Sequence, residues 1–130
     1  MFTRDASLLT DVGAIGLQMG KSLRKPEPKL HCEFYKDVGI PVLGMLDGEA
    51  RIEGGDLIWL DEHTLIVGLG FRSNREGVRQ LNHLLNPHRI SVAGFDMPYW
   101  SGEEACLHLM SVISPVTETA YLVHSPLFGL

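Results

Sequence analysis

"EGGDLIWLDEHTLIVGLGFRS" (Glu53–Ser73) has a counterpart earlier in the chain, "FTRDASLLTDVGAIGLQMGKS" (Phe2–Ser22). Each runs from an aspartate into an apolar stretch, turns on short polar residues, and enters a second apolar stretch. The turns fall at Asp11-Val12-Gly13 and at Asp61-Glu62-His63. Asp5 and Asp56 are separated by 56 − 5 = 51 positions, as are Lys21 and Arg72, Ser22 and Ser73, Leu8 and Trp59, and Ile15 and Ile66. A recurrence at fixed spacing is the mark of repeated supersecondary units.

A helix is predicted after each pair of strands. In the first unit Pro26 and Glu27 suit a first turn, Leu30, Phe34 and Val38 recur at helical spacing, and Gly39 stops the helix. In the second, Ser73 with Glu76 resembles a capping box. There Val78, Leu81 and Leu85 form the apolar stripe, and Asn86-Pro87 ends the helix. A further strand follows each: "IPVLGML" (Ile40–Leu46) and "ISVAGFDM" (Ile90–Met97). A third unit opens at "LHLMSVISPVTETAYLVHS" and lacks its helix, with His108 standing where Asp5 and Asp56 stand (108 − 56 = 52). The expected fold class is therefore α/β, in units of about 1–50, 51–102 and an incomplete 103–130, one domain of about two and a half units. Units arranged about an axis would gather Asp5, Asp56 and His108 near its centre. Two and a half units cannot close a ring, which favours a segment of a longer fold.

Composition narrows the function. With 130 residues, 45% hydrophobic and 21% charged, the chain suits one globular domain. Its net charge of −5 offers no electrostatic footprint for nucleic acid or an acidic membrane surface. No apolar run approaches a membrane span, and no basic-then-apolar leader opens the chain. Two cysteines, Cys32 and Cys106, without a Cys-x-x-Cys pair, point to a reducing cytoplasm.

Four short stretches could carry chemistry. In "IEGGD", Gly54 and Gly55 allow φ > 0 or close approach of another group. They aim Glu53 and Asp56 where a regular strand would not. Paired carboxylates can bind a cation, exchange protons or ligate a metal, and a tight turn with solvated acids is the plain alternative. No H-x-x-x-H spacing accompanies them, so no metal is expected. A planar guanidinium matches carboxylates through parallel charge-assisted hydrogen bonds. Arg72 precedes a helix start at Ser73 or Asn74, where an anion such as a carboxylate can be held. His108, between Leu107 and Leu109 at the head of an apolar strand, is suited to proton exchange beside carboxylates. Asp5 could supply a second carboxylate, with Arg4 its neighbour. The other histidines read as surface or packing residues. Cys106 shares a strand face with His108, which leaves no room for a substrate between nucleophile and base.

"FTRD", "EGGD", "GLGFRSNREG" and "CLHLMS" occur here in the order that they take in the guanidine-modifying enzymes. The chain resembles these arginine deiminases, dimethylarginine dimethylaminohydrolases and amidinotransferases from Phe2 to about Ser125. The resemblance implies a five-bladed α/β propeller (pentein) of ββαβ modules around a central site. It implies that Asp5 and Glu53 grip a substrate guanidinium, that Arg72 holds its α-carboxylate, and that His108 is the general acid/base. The nucleophile would be a cysteine near the end of the full propeller, and no cofactor is needed. Deiminases and amidinotransferases resemble H-x-D at the histidine, whereas this chain has His108-Leu109-Met110. That departure favours the dimethylarginine hydrolases, and the glutamate of "EGGD" favours hydrolases over amidinotransferases. No cysteine stands at a family-like C-terminal position. The expectation is a segment of a cysteine-dependent hydrolase that acts on a small guanidino substrate and gives citrulline, the segment itself being inactive. The alternatives are an arginine deiminase-type hydrolase or amidinotransferase, a non-catalytic ligand- or protein-binding relative, and a homo-oligomer that closes a ring from partial propellers.

Overall fold

The computed structural model of the chain describes residues 3–98, 102 and 108–128. Strand β1 (Ser7–Thr10) pairs antiparallel with β2 (Gly13–Gly16), and β3 (Val42–Met45) returns parallel to β2 after helix α1 (Glu27–Asp37). The same order recurs in β4 (Leu57–Asp61), β5 (Thr64–Leu69), helix α2 (Arg75–Leu85) and β6 (Ser91–Asp96). A two-stranded ribbon, β7 (Ile113–Pro115) and β8 (Tyr121–Val123), follows. No helix among the described residues is long and apolar enough to cross a membrane.

Both hairpins turn where the sequence predicts. Thr10 pairs with Gly13 and Asp61 with Thr64, so the offset of 51 holds at the turns. Gly13 is required there: its φ is +143°, and a Cβ would lie 2.7 Å from the Pro41 carbonyl oxygen. The offset slips one residue into the strand. A bulge between Trp59 and Asp61 sets Trp59 opposite Leu65, where Leu8 sits opposite Ile15.

Each hairpin is entered through a short 3-10 turn and not directly as a strand. The turns are Thr3–Ala6, Gly54–Asp56 and Leu109–Ser111. Thr3-Arg4-Asp5 and Gly54-Gly55-Asp56 therefore lie in turns, and Glu53 and His108 are the extended residues just before theirs. Such turns free the polar residues of these segments from the alternation of a strand, which would send them to fixed faces.

Alternation along β4 and β5 builds two cores. Leu57, Leu65 and Val67 face one, shared with Leu8, Ile15, Leu17, Ile52 and the Leu81/Leu85 stripe of α2. Ile58 and Ile66 face the other, with Leu109, Val112, Met97 and Met110. The second sheet is thus covered on both faces.

Helix α2 buries the predicted stripe: Leu81 and Leu85 are fully buried. Its cap is Asn74, whose side chain accepts from the Gly77 N–H, so the Ser73–Glu76 capping box does not form. Helix α1 corrects the sequence reading more sharply. Leu30, Phe34 and Val38 are 57%, 60% and 54% exposed, while Pro28 and Cys32 are buried. The small face wins because it meets a glycine strand. A Cβ on Gly16 would lie 2.8 Å from Cys32 Sγ, so helix and strand are close enough to exclude a larger side chain. Ser7 then bonds His31 at 3.0 Å and Tyr35 at 2.7 Å on the same helix face.

Candidate active site

The site is built at the junction of the Gly54–Asp56 turn, the β5–α2 connection and the turn that follows His108. Glu53 is wholly buried, and Asp56 and Ser73 nearly so. A carboxylate so placed is tolerated only when donors surround it. Glu53 Oε1 accepts from the Gly20 N–H at 3.1 Å, and Oε2 accepts from Arg72 Nη1 at 3.2 Å. Asp56 Oδ1 accepts from the Leu109 N–H at 3.0 Å, and Oδ2 from the Ser73 hydroxyl at 2.6 Å.

His108 bridges the two acids. Its Nδ1 lies 3.2 Å from Asp56 Oδ1, and its Nε2 lies 3.6 Å from Glu53 Oε2 and 3.2 Å from Arg72 Nη1. The hydrogen bond that His108 Nδ1 donates to Asp56 pushes the His108 pKa above its ordinary value. Burial and the Arg72 guanidinium oppose the rise, while Glu53 adds to it. The imidazole is therefore held with raised proton affinity against two carboxylates and one guanidinium.

The double glycine owes its place to close approach and not to backbone handedness, since neither Gly54 nor Gly55 has a positive φ. A Cβ on Gly55 would lie 2.7 Å from His108 Cγ, so the imidazole lies directly on that backbone. A Cβ on Gly54 would collide with the Arg4 carbonyl.

Four of the residues singled out from sequence, Glu53, Asp56, Arg72 and His108, are joined by hydrogen bonds and ion pairs. Asp5 is adjacent through its backbone, and its carboxylate turns to Arg24 Nη1 at 2.8 Å. Arg24 is gripped from its other side by Glu27, through Nε at 2.9 Å and Nη2 at 2.7 Å. Arg72 points into the cluster and makes its contacts with Glu53 and His108. Cys106 lies outside the described residues. Cys32 is buried against Gly16, and burial raises its thiol pKa, which makes it a poor nucleophile. Among the described residues no set of three or more His, Cys, Asp or Glu is arranged to hold a metal ion.

Sequence reasoning missed two participants. The sequence marks Ser73 as a helix cap, yet its hydroxyl joins Glu53 to Asp56. Gly20 donates its N–H to Glu53, and no side chain marks that role. The signal for Ser73 was its place directly after Arg72 on the connection that delivers Arg72 to the site.

The family model described as arginine deiminase matches residues 1–128. An arginine deiminase of Levilactobacillus brevis is 26% identical over 103 residues, covering 78% of this chain and 24% of that protein. An arginine deiminase of Limosilactobacillus reuteri is 27% identical over 96 residues, covering 72% and 23%. The chain thus spans about a quarter of the length of the curated relatives it matches. Among solved structures, a mutant of the dimethylarginine dimethylaminohydrolase of Pseudomonas aeruginosa, complexed with citrulline, superposes with a TM-score of 0.74. It is 25% identical, over 88% of this chain and 42% of that one. The N-terminal domain of ArgZ, an arginine dihydrolase from cyanobacteria, gives a TM-score of 0.79 at 21% identity, over 97% and 44%; that likeness shows the fold. With the family model covering nearly the whole length, the chain belongs to the arginine deiminase family, within the guanidine-modifying superfamily.

Proposed function

We propose that this chain forms the guanidinium-gripping and proton-transferring part of a cysteine-dependent hydrolase that cleaves a guanidinium C–N bond of an arginine derivative. The observation that carries this reading is the buried contact of Glu53, Asp56, Arg72 and His108 in a chain of this family. Glu53 is the group that takes the substrate guanidinium. Arg72 shows that its Oε2 already accepts from one. Binding then exchanges one guanidinium for another, and frees Arg72 to meet the substrate α-carboxylate. Asp5, beside Gly54, is a second carboxylate for the same guanidinium, once released from Arg24.

In this reading a cysteine thiolate, supplied from outside the described residues, attacks the guanidinium carbon. The C–N bond to the departing amine breaks, and that nitrogen takes its proton from His108. His108 then accepts a proton from water, whose oxygen bonds to the carbon and expels the thiolate, leaving citrulline. Both proton transfers suit an imidazole held between two carboxylates. The larger architecture is a five-bladed propeller of ββαβ modules, of which residues 1–50 and 51–102 are whole modules and 103–130 part of another. Its place is the reducing cytoplasm, which suits a thiolate nucleophile.

Dimethylarginine is the leading substrate and arginine the second. Met110 stands where an H-x-D carboxylate would, and it packs into the second core beside Leu109 and Val112. The test is citrulline release from both compounds, measured on the longest protein that the reading frame encodes. His108→Ala should abolish release and leave the fold intact. Wild-type-like turnover in that variant, or no cysteine near the end of that reading frame, would sink the reading.

A further inference from the structure

The Ser73 hydroxyl occupies a position that a helix cap would not need. It accepts from the Glu53 backbone N–H at 3.1 Å and donates to Asp56 Oδ2 at 2.6 Å, and the residue is 1% exposed. A hydroxyl has one proton. With its lone pair facing an N–H, that proton is committed to Asp56. Asp56 Oδ1 faces both the Leu109 N–H and His108 Nδ1. A carboxylate only accepts, so Nδ1 must carry a hydrogen, and Nε2 is the nitrogen left to face Glu53 Oε2 and Arg72. The chain of bonds leaves Glu53 at its backbone and returns to Glu53 at its side chain.

We propose that Ser73 is a positioning residue: its hydroxyl holds the Asp56 carboxylate so that Oδ1 meets His108 Nδ1, which makes Nε2 the proton-exchanging nitrogen beside Glu53. The Ser73 hydroxyl donates to Oδ2, and Asp56 is nearly fully buried. Without the hydroxyl, Oδ2 is a buried acceptor without this donor, and the carboxylate turns to find another. Turning takes Oδ1 from His108 and releases the choice of tautomer. The groups that face His108 are then Glu53, Asp56 and Arg72. Loss of the Asp56 contact removes the strongest attraction holding a proton on the ring. The consequence for catalysis rests on His108 being the proton carrier proposed above; the arrangement itself does not.

The backbone of Ser73 is held independently, since its carbonyl accepts from the Gly70 N–H at 3.0 Å and the next N–H, of Asn74, donates to Arg51 O at 2.9 Å. Ser73→Ala should therefore fold. The experiment is NMR of the His108 imidazole nitrogens in the longest protein that the reading frame encodes, as pH is varied, with amide spectra to confirm the fold. The wild type should hold the Nδ1–H tautomer when neutral. Ser73→Ala should populate the Nε2–H tautomer and lower the proton affinity of His108 about tenfold. Ser73→Thr, which keeps the hydroxyl, should restore both. Ser73→Cys keeps the volume but is a weak donor, and should behave like Ser73→Ala; it decides the matter where Ser73→Ala does not fold. A folded Ser73→Ala or Ser73→Cys with the wild-type tautomer and titration would overturn the proposal. So would a Ser73→Thr that behaves like Ser73→Ala, because packing would then be the cause. A protein that releases no citrulline but shows the tautomer change would refute the hydrolase reading and leave this one standing.

Discussion

The two hairpin units share a strand order, a turn position and an acid at the head, and they use them differently. At the first head, Asp5 meets Arg24 in an ion pair whose side chains are 15% and 20% exposed. At the second, Asp56 is almost fully buried and meets Ser73, His108 and the Leu109 N–H. A partly solvated pair contributes little to stability and is easily exchanged. A buried carboxylate must keep every donor it has, so it holds its partners in one geometry. The helices differ in the same sense. Helix α1 lies on a glycine strand through Pro28 and Cys32, while α2 drives leucines into the main core. One repeated grammar thus builds a partly exposed ion pair in one unit and a buried hydrogen-bonded cluster in the other.

The largest expected effect tests the helices. Leu81→Ala should cost about 2–5 kcal/mol in urea unfolding, because its side chain is wholly buried. Phe34→Ala on α1 should stay within about 0.5 kcal/mol, because it is 60% exposed. Equal losses would erase the contrast. Next comes the glycine under the imidazole. Gly55→Ala places a methyl against the His108 ring and should cost about 1–3 kcal/mol, with a displaced His108 resonance. An unchanged melting temperature and spectrum would show that the ring is not seated there.

A third pair of variants sharpens the comparison of the heads. Asp56→Asn should lower the His108 proton affinity about tenfold, while Asp5→Asn should leave it where it is. The sign carries into stability. A histidine whose folded pKa is raised stabilises the fold fully below its unfolded value near 6.5, and the contribution is lost as pH rises through the higher folded value. Unfolding free energy should therefore decline as pH climbs past about 6.5, and this slope should flatten in Asp56→Asn. The smallest effect belongs to Arg72→Gln. Removing a cation 3.2 Å from Nε2 should raise the His108 proton affinity, read in the same titration. A fall would mean that Arg72 does not oppose the proton.

The hairpin turns, the helix positions and the α2 stripe were legible because they depend on neighbours within a few residues. Asn74 rather than Ser73 as the cap was a near miss, since both residue types suit a cap. The stripe on α1 was misread for a different reason. Leu30, Phe34 and Val38 and the buried pair Pro28 and Cys32 both recur at helical spacing, so periodicity alone cannot choose between the faces. Gly16, on the strand beneath the helix, decides it.

At the site, the sequence by itself determined which residues have the right chemistry: Glu53, Asp56, Arg72 and His108 were marked by residue type and repeat position. Only the tertiary structure decided which of them meet. It set His108 against Asp56 across 52 positions and turned Asp5 toward Arg24. It also took Ser73 from helix cap to bridge between the two acids. The physical reason is that burial leaves a carboxylate no water to bond with. Its partners are then chosen by whichever donors the packed turns bring within reach, and sequence neighbours do not specify those.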